Sequence, residues 1–312
     1  MADRDRYIRI TDVSPRDGLQ NEPEPIPTAA KAKLVHLLSH TGVDEVEVSS
    51  FVSPKWVPRL GDAQEVFAAV AEEKPDDLVY SAVVPNMKGL EQALAVNQVA
   101  GRTIVDKVSV FTAASETFSQ KNTNANIDET IERFKPVVSG AMEEGLDLRG
   151  YISCIVECPF EGSIEPKAVA SVARKLLDLG IREIDLGDTI GKGKPETIKV
   201  VLEAVQREIE KHDDAWITLH LHDTFGGASD CVKTALEFGV RSFDGSAAGL
   251  GGCPYATTES GKRAPGNIST EALIRAVEEA GYTTGVLKEP MKEASEYASK
   301  LVNEAQGAGS AS

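Results

Sequence analysis

Tyr7-Ile8-Arg9-Ile10-Thr11-Asp12-Val13-Ser14-Pro15-Arg16-Asp17-Gly18 is the stretch on which the choice of fold turns. Its β-branched and apolar residues up to Val13 predict a strand. A doubly wound sheet built to hold a dinucleotide would follow that strand with a GxGxxG turn, and the chain has Ser14-Pro15-Arg16-Asp17-Gly18 there instead. Working outward, the same alternation predicts further strands at Glu45 to Ser49, Val79 to Val84, Lys107 to Phe111, Leu148 to Val156, Glu183 to Leu186, Trp216 to His222 and Val240 to Asp244. Between them lie amphipathic stretches, among them Thr28 to His40, Asp62 to Glu73, Ile127 to Glu144, Pro166 to Leu179, Pro195 to Lys211 and Ala228 to Phe238. Several stop at a glycine (Gly145, Gly180, Gly239), the expected helix terminator. Strands alternating with helices imply parallel strands joined by right-handed crossovers, and eight such units close most economically into an α/β fold of the (β/α)8 TIM-barrel type. Thr270 to Ala280 and Pro290 to Ala305 read as extra C-terminal helices. The organisation expected is one catalytic domain over 1–305 and a flexible tail over 306–312.

Composition narrows the function. The 312 residues carry 49 acidic and 33 basic side chains, a formal charge of -16, so nucleic acid is not expected as a partner. Hydrophobic residues at 41% support a large core, and no apolar run reaches the roughly 20 residues of a membrane span. The charged start lacks a secretory pattern, and four cysteines in a chain this long suggest reduced thiols, so a cytoplasmic protein is expected.

Three local patterns carry chemistry. In Thr218-Leu219-His220-Leu221-His222-Asp223, the two imidazoles at i and i+2 of a strand share a face. They form a metal site, an acid/base pair, or hydrogen-bonded core histidines. Arg16 and Asp17 sit where the first strand ends, and Gly249, Gly251 and Gly252 precede Cys253 in a loop after the eighth. A glycine-rich loop at the catalytic face of a barrel suits a lid, and its thiol suits proton transfer. Glu47, Asn86 and Asp188 also fall at strand ends, Asn86 reading best as a strand-end cap. Polar groups gather at the C-terminal ends of strands, where barrel active sites are built.

These residues resemble those of the 3-hydroxy-3-methylglutaryl-CoA lyases. The matching stretches are SPRDGLQNE (14–22), SFVSPKWVP (50–58), PNMKG (85–89), RGYISC (149–154), CPFEG (158–162), LGDTIG (186–191), HLHDTFG (220–226) and AGLGGCPYA (248–256), in order along the chain. The resemblance implies that Asp17, His220, His222 and Asn267 bind a divalent cation, Mg2+ or Mn2+. It also implies Arg16 and Cys253 as catalytic groups, His220 or Asp188 as base, Glu47 as a further acidic site residue, and Gln20, Asn21 and Ser50 with Arg16 as substrate contacts. The expected substrate is an acyl-CoA, the expected assembly a homodimer, and the expected pathway leucine degradation.

Two departures from the family pattern bear on the acyl group. The interval from Cys253 to Asn267 is lengthened by Thr257 to Pro265 and ends in a segment similar to that of the isopropylmalate and homocitrate synthases, and Pro23 stands where the family often has Lys. A Claisen-type condensing enzyme, or a non-catalytic acyl-CoA-binding barrel, is the alternative. Because the substrate is an anion and the chain is acidic, a locally positive mouth is expected, with Lys55, Lys88 and Lys192 beside Arg16.

Overall fold

The computed structural model describes residues 6–22, 26–252 and 266–309. Strands β1 (Arg9–Asp12), β2 (Glu45–Ser50), β3 (Val79–Val83), β4 (Lys107–Ala113) and β5 (Asp147–Ser153) are followed by a short hairpin, β6 (Glu157–Cys158) and β7 (Gly162–Ser163). Strands β8 (Glu183–Asp188), β9 (Trp216–Leu221) and β10 (Ser242–Gly245) complete the set. Eight of these strands close into a parallel barrel in the order β1-β10-β9-β8-β5-β4-β3-β2, while β6 and β7 pair antiparallel outside it. The (β/α)8 expectation holds.

Helices α1 (Thr28–Ser39), α2 (Ala63–Val70), α3 (Met87–Ala100), α4 (Glu116–Thr123), α5 (Ile127–Glu143), α6 (Pro166–Asp178), α7 (Pro195–Ile209), α8 (Ala228–Glu237), α9 (Thr270–Glu279) and α10 (Lys288–Gly309) surround the barrel. Local chemistry starts several of them. Asn126 and Glu129 form a reciprocal capping box on α5, and Asn86 Oδ1 accepts from the Gly89 N–H to cap α3. The apolar core lies between barrel and helices: Ile10, Val46, Ile184 and Leu219 on the outer strand faces meet residues such as Leu34, Val66, Leu176 and Val232.

Several boundaries shift by a few residues from the sequence reading, and two of the shifts alter the reading of a segment. Strand β5 stops at Ser153 because Cys154 takes a left-handed backbone conformation (φ 61), so Cys154 to Val156 leave the sheet and lead into the hairpin. The final helix runs through Gly309, four residues beyond the end expected at Ala305.

The barrel interior is unusually polar. Lys107 Nζ reaches Glu45 Oε2 at 2.5 Å and Glu183 Oε2 at 2.7 Å, contacts between strands that are not neighbours and therefore inside the barrel. Arg149 lies fully buried above them and bonds Glu183 Oε1 (2.6 Å), Thr11 Oγ1 (3.0 Å) and Asp244 Oδ1 (3.1 Å). At the opposite, N-terminal face the structure is pinned shut. The Ile8 N–H donates to the Thr283 carbonyl at 2.8 Å, and the Leu287 N–H donates to that of Thr41 at 2.7 Å. Gly42 (φ 77) passes so close to Gly285 that a Cβ would stand 2.2 Å from its carbonyl oxygen.

Candidate active site

The turn after β1 sets the first two site residues. The Asp17 and Gly18 N–H groups both reach back to the Val13 carbonyl (2.8 and 3.3 Å), giving a single wide π-type turn over Ser14–Gly18. Such turns often mark functional positions because they re-aim side chains. Here Arg16 and Asp17 both point into the mouth. Arg16 bonds Glu47 Oε2 through Nε and NH2, and its NH1 lies 2.7 Å from Asp17 Oδ1. It also sits over the Tyr151 ring, 5.5 Å from the centroid.

Asp17, His220 and His222 come together. Each is buried, and one potential ligand atom from each falls within 4.8 Å of the others. The strand geometry puts both imidazoles on the inner face as the i, i+2 spacing requires, with ring centroids 5.3 Å apart. Asn267 joins them through an isolated antiparallel bridge to His222, and its Nδ2 donates to Asp17 Oδ2 and to the Leu250 carbonyl, both at 2.8 Å. Gln20 Nε2 donates to Asp17 Oδ1 at 2.6 Å.

Electrostatics distinguishes the two imidazoles. Burial lowers His222 to about 4, helped by neighbouring His220, so His222 is neutral at pH 7 and its lone pair is available. For His220 burial acts the same way, but the hydrogen bond and charge of Asp244 outweigh it and the net shift is upward. Burial alone would raise Asp17; Arg16 and the two imidazoles more than offset this and hold it below the usual carboxylate range. Glu47 is raised because burial outweighs its pairing with Arg16.

The donor set fits a divalent cation. His222 Nδ1 and Asn267 Oδ1 are buried and have no hydrogen-bond partner, an uncompensated cost unless something else binds there. A carboxylate, two imidazoles and an amide oxygen suit a hard, six-coordinate ion such as Mg2+ or Mn2+ better than zinc. Of the cations expected at the mouth, Lys55 and Lys88 are exposed, and Lys88 lines the cleft beside Ser50 and Asn86. Arg16 is matched by Glu47 and Asp17, and Lys192 is paired with Glu157.

Other candidates sort themselves by position. Asn21 Nδ2 donates to the Gly252 carbonyl at 3.3 Å, tying the first loop to the residue before Cys253. Ser50 donates to the Val83 carbonyl and lines a cleft with Phe51, Asn86 and Lys88 at the same rim. Cys253 lies outside the described residues. Asp188 does not join the site. Glu183 and Asp185 on β8 face inward, so Asp188 faces the helices. There its Oδ2 accepts from the Gly193 N–H at 2.6 Å, and its charge bears on the Cys231 thiol of α8. Burial raises Asp188 to about 6 against those backbone bonds. It shapes the loop after β8 and is removed from the candidate bases.

Sequence reasoning missed four inward residues: Arg149, Tyr151, Asp185 and Asp244. Tyr151 Oη donates to Glu47 Oε1 at 3.1 Å, and Asp244 Oδ2 bonds His220 Nδ1 at 3.0 Å. Burial and the adjacent Asp244 push the Asp185 carboxyl well above its ordinary range. Their signal was ionisable residues at alternating positions inside strands, where apolar layers usually fill a barrel.

Fold and site together define a (β/α)8 barrel with a metal-type carboxylate, imidazole and amide cluster at its C-terminal mouth. The family model described as HMGL-like matches residues 7–297, and the chain belongs to this family, that of the hydroxymethylglutaryl-CoA lyases. The hydroxymethylglutaryl-CoA lyase of Pseudomonas mevalonii is 45% identical over 279 residues, covering 89% of this chain and 87% of that one. The cytoplasmic 3-hydroxy-3-methylglutaryl-CoA lyase of Rattus norvegicus is 42% identical, over 95% of this chain and 82% of its own. The solved HMG-CoA lyase of Brucella melitensis is 43% identical with a TM-score of 0.88, covering 96% of this chain and 99% of that chain. That of Acinetobacter baumannii, solved with coenzyme A and 3-methylmalate, is 33% identical with a TM-score of 0.86, over 97% and 93% of the two chains.

Proposed function

We propose that the chain is a divalent-metal-dependent carbon–carbon lyase that cleaves 3-hydroxy-3-methylglutaryl-CoA, or a close 3-hydroxy-3-alkylglutaryl-CoA, to acetyl-CoA and a 3-oxo acid such as acetoacetate. The convergence of Arg16, Asp17, His220, His222 and Asn267 at one barrel mouth carries this reading. It is supported by lyase relatives 42–45% identical over most of the chain.

In this reading Asp17, His220, His222 and Asn267 hold Mg2+ or Mn2+, which when bound acidifies the C3 hydroxyl and orients the substrate. A base at the mouth takes the C3 hydroxyl proton, the oxygen becomes the ketone, and the C2–C3 bonding pair departs as the acetyl-CoA enolate. Arg16 is fixed by Glu47 and Asp17 before substrate arrives, so it meets the developing enolate oxygen without reorganising. Preorganised donors of this kind contribute about 3 to 4 kcal/mol. Cys253 then protonates the enolate carbon. Of the two groups offered as base, Asp188 faces the helices, and His220 could take the proton only through a nitrogen that the cation does not hold. Gln20, through Asp17, and Asn21, through Gly252, keep the first loop registered against the second.

The same reading includes a homodimer, an acyl-CoA as the small-molecule partner, and a place in leucine degradation. The charge of -16 argues against nucleic acid, and among the described residues no helix is long and apolar enough to cross a membrane. Cys158 and Cys231 are buried thiols outside any disulfide, which supports a reducing compartment such as the cytoplasm.

The test is to incubate the protein with Mg2+, a thiol reductant and 3-hydroxy-3-methylglutaryl-CoA and to quantify acetoacetate. Absence of product, together with coenzyme A release from acetyl-CoA and a 2-oxo acid, would move the chain to the condensing enzymes. Cys253→Ala is expected to lower turnover at least a hundredfold with Mn2+ binding retained; undiminished turnover would remove the thiol from the chemistry.

A further inference from the structure

Asp244 stands directly beside His220 in the register of β10 and β9, and both side chains are buried. Its Oδ2 lies 3.0 Å from His220 Nδ1, and its Oδ1 is held by Arg149 NH1 at 3.1 Å. Arg149 is in turn fixed by Glu183 and Thr11 on two other strands, so the carboxylate has little freedom to turn. Tyr151 packs edge-on against the His220 ring, centroids 6.2 Å apart, and its hydroxyl faces the same Oδ2 at 3.5 Å. A carboxylate paired with a guanidinium offers only acceptors, so the nitrogen it contacts must carry the proton.

We propose that Asp244 is the positioning residue for His220, fixing the tautomer with hydrogen on Nδ1 so that the Nε2 lone pair is the one presented to the cation cluster. Metal-binding imidazoles are commonly oriented through their second nitrogen in this way, and loss of such a partner weakens metal affinity about 10- to 100-fold. Arg149 serves Asp244 as Asp244 serves His220. The chain of support therefore runs from the charged barrel floor to the rim. The inference rests on the metal-cluster reading of the site and not on the identity of the acyl substrate.

The experiment uses the full chain labelled with 15N at histidine, at pH 8.5, together with Mn2+ titration. The wild-type His220 spectrum is expected to show a protonated Nδ1 and a bare Nε2. In Asp244→Asn the amide can turn its NH2 toward Nδ1, favouring hydrogen on Nε2. The pattern should invert and Mn2+ affinity fall 10- to 100-fold in a protein that keeps its circular dichroism. An unchanged tautomer with unchanged Mn2+ affinity overturns the proposal. If the variant does not fold, the wild-type spectrum still decides, because hydrogen on Nε2 there is incompatible with it. Failure of the lyase reading alone would look different: no acetoacetate from wild type, with tautomer and Mn2+ binding as expected.

Discussion

Gly251 shows how little room the candidate site leaves for an extra atom. Its φ of 104 lies where side chains rarely go, and a Cβ would stand 2.6 Å from Asn267 Nδ2 and 2.8 Å from Asp17 Oδ2. Gly251→Ala should therefore separate the Asp17–Asn267 pair. Mn2+ affinity is expected to drop at least tenfold with the thermal transition only modestly lowered, and a titration finding unchanged affinity would count against that pair as part of the metal site. At this scale the sequence was partly legible. The spacing of His220 and His222 placed both rings on one face unaided, and Asp17 stood out at the end of the first strand, whereas Asn267 was singled out only through resemblance. The meeting of Asp17 and Asn267 depends on contacts 250 residues apart. Asp188 was misread although strand parity held the answer: on β8 it has the opposite parity to Glu183 and Asp185.

At the scale of the element, β1 and its π-type turn are fastened by Asp12, which points away from the barrel interior. It accepts from the Ser14 N–H (2.9 Å) and Oγ (2.6 Å) and from Thr270 Oγ1 (2.7 Å), linking the turn to the start of α9. Burial outweighs these bonds and raises the carboxyl to about 6 from the 3.8 of an exposed aspartate. Between those values the folded chain keeps a proton that the unfolded chain has released. Stability therefore declines as pH rises through the window and levels off above it. Asp12→Asn cannot titrate, so its stability relative to wild type should improve by on the order of 3 kcal/mol between pH 4 and pH 7. Urea unfolding at several pH values measures this; a pH-independent difference would mean that Asp12 is not shifted. Strand positions were read well from β-branched alternation, but ends were not. The stop after Ser153 comes from the backbone of Cys154, for which the side-chain pattern gives no warning.

For the whole molecule, eight alternating units and the missing glycine fingerprint were enough to choose a closed barrel over an open sheet. The ionic filling of the barrel showed only as ionisable residues at alternating strand positions, a signal that a search for apolar periodicity passes over. Lys107 and Arg149 join Glu45, Glu183 and Asp244 across the interior, and these pairs exist only once the strands close. Removing one partner leaves charge stranded in a dry site. Lys107→Met is expected to destabilise the protein by about 3 to 5 kcal/mol, more than its added apolar surface returns. Denaturation curves would reveal this, and a loss below about 1 kcal/mol would indicate that water already reaches the barrel floor.

The seam at the N-terminal face also sets a schedule for synthesis. Strand β1 pairs with β2 on one side but waits on the other for β10, and the bond from Ile8 waits for Thr283. A ribosome adding about 5 to 20 residues per second needs roughly 10 to 50 seconds between those partners. Throughout that interval β1 has a bare hydrogen-bonding edge, the kind of surface on which nascent chains pair wrongly with one another. Expression at lower chain density, or with a chaperone that shields strand edges, should favour recovery of the closed form.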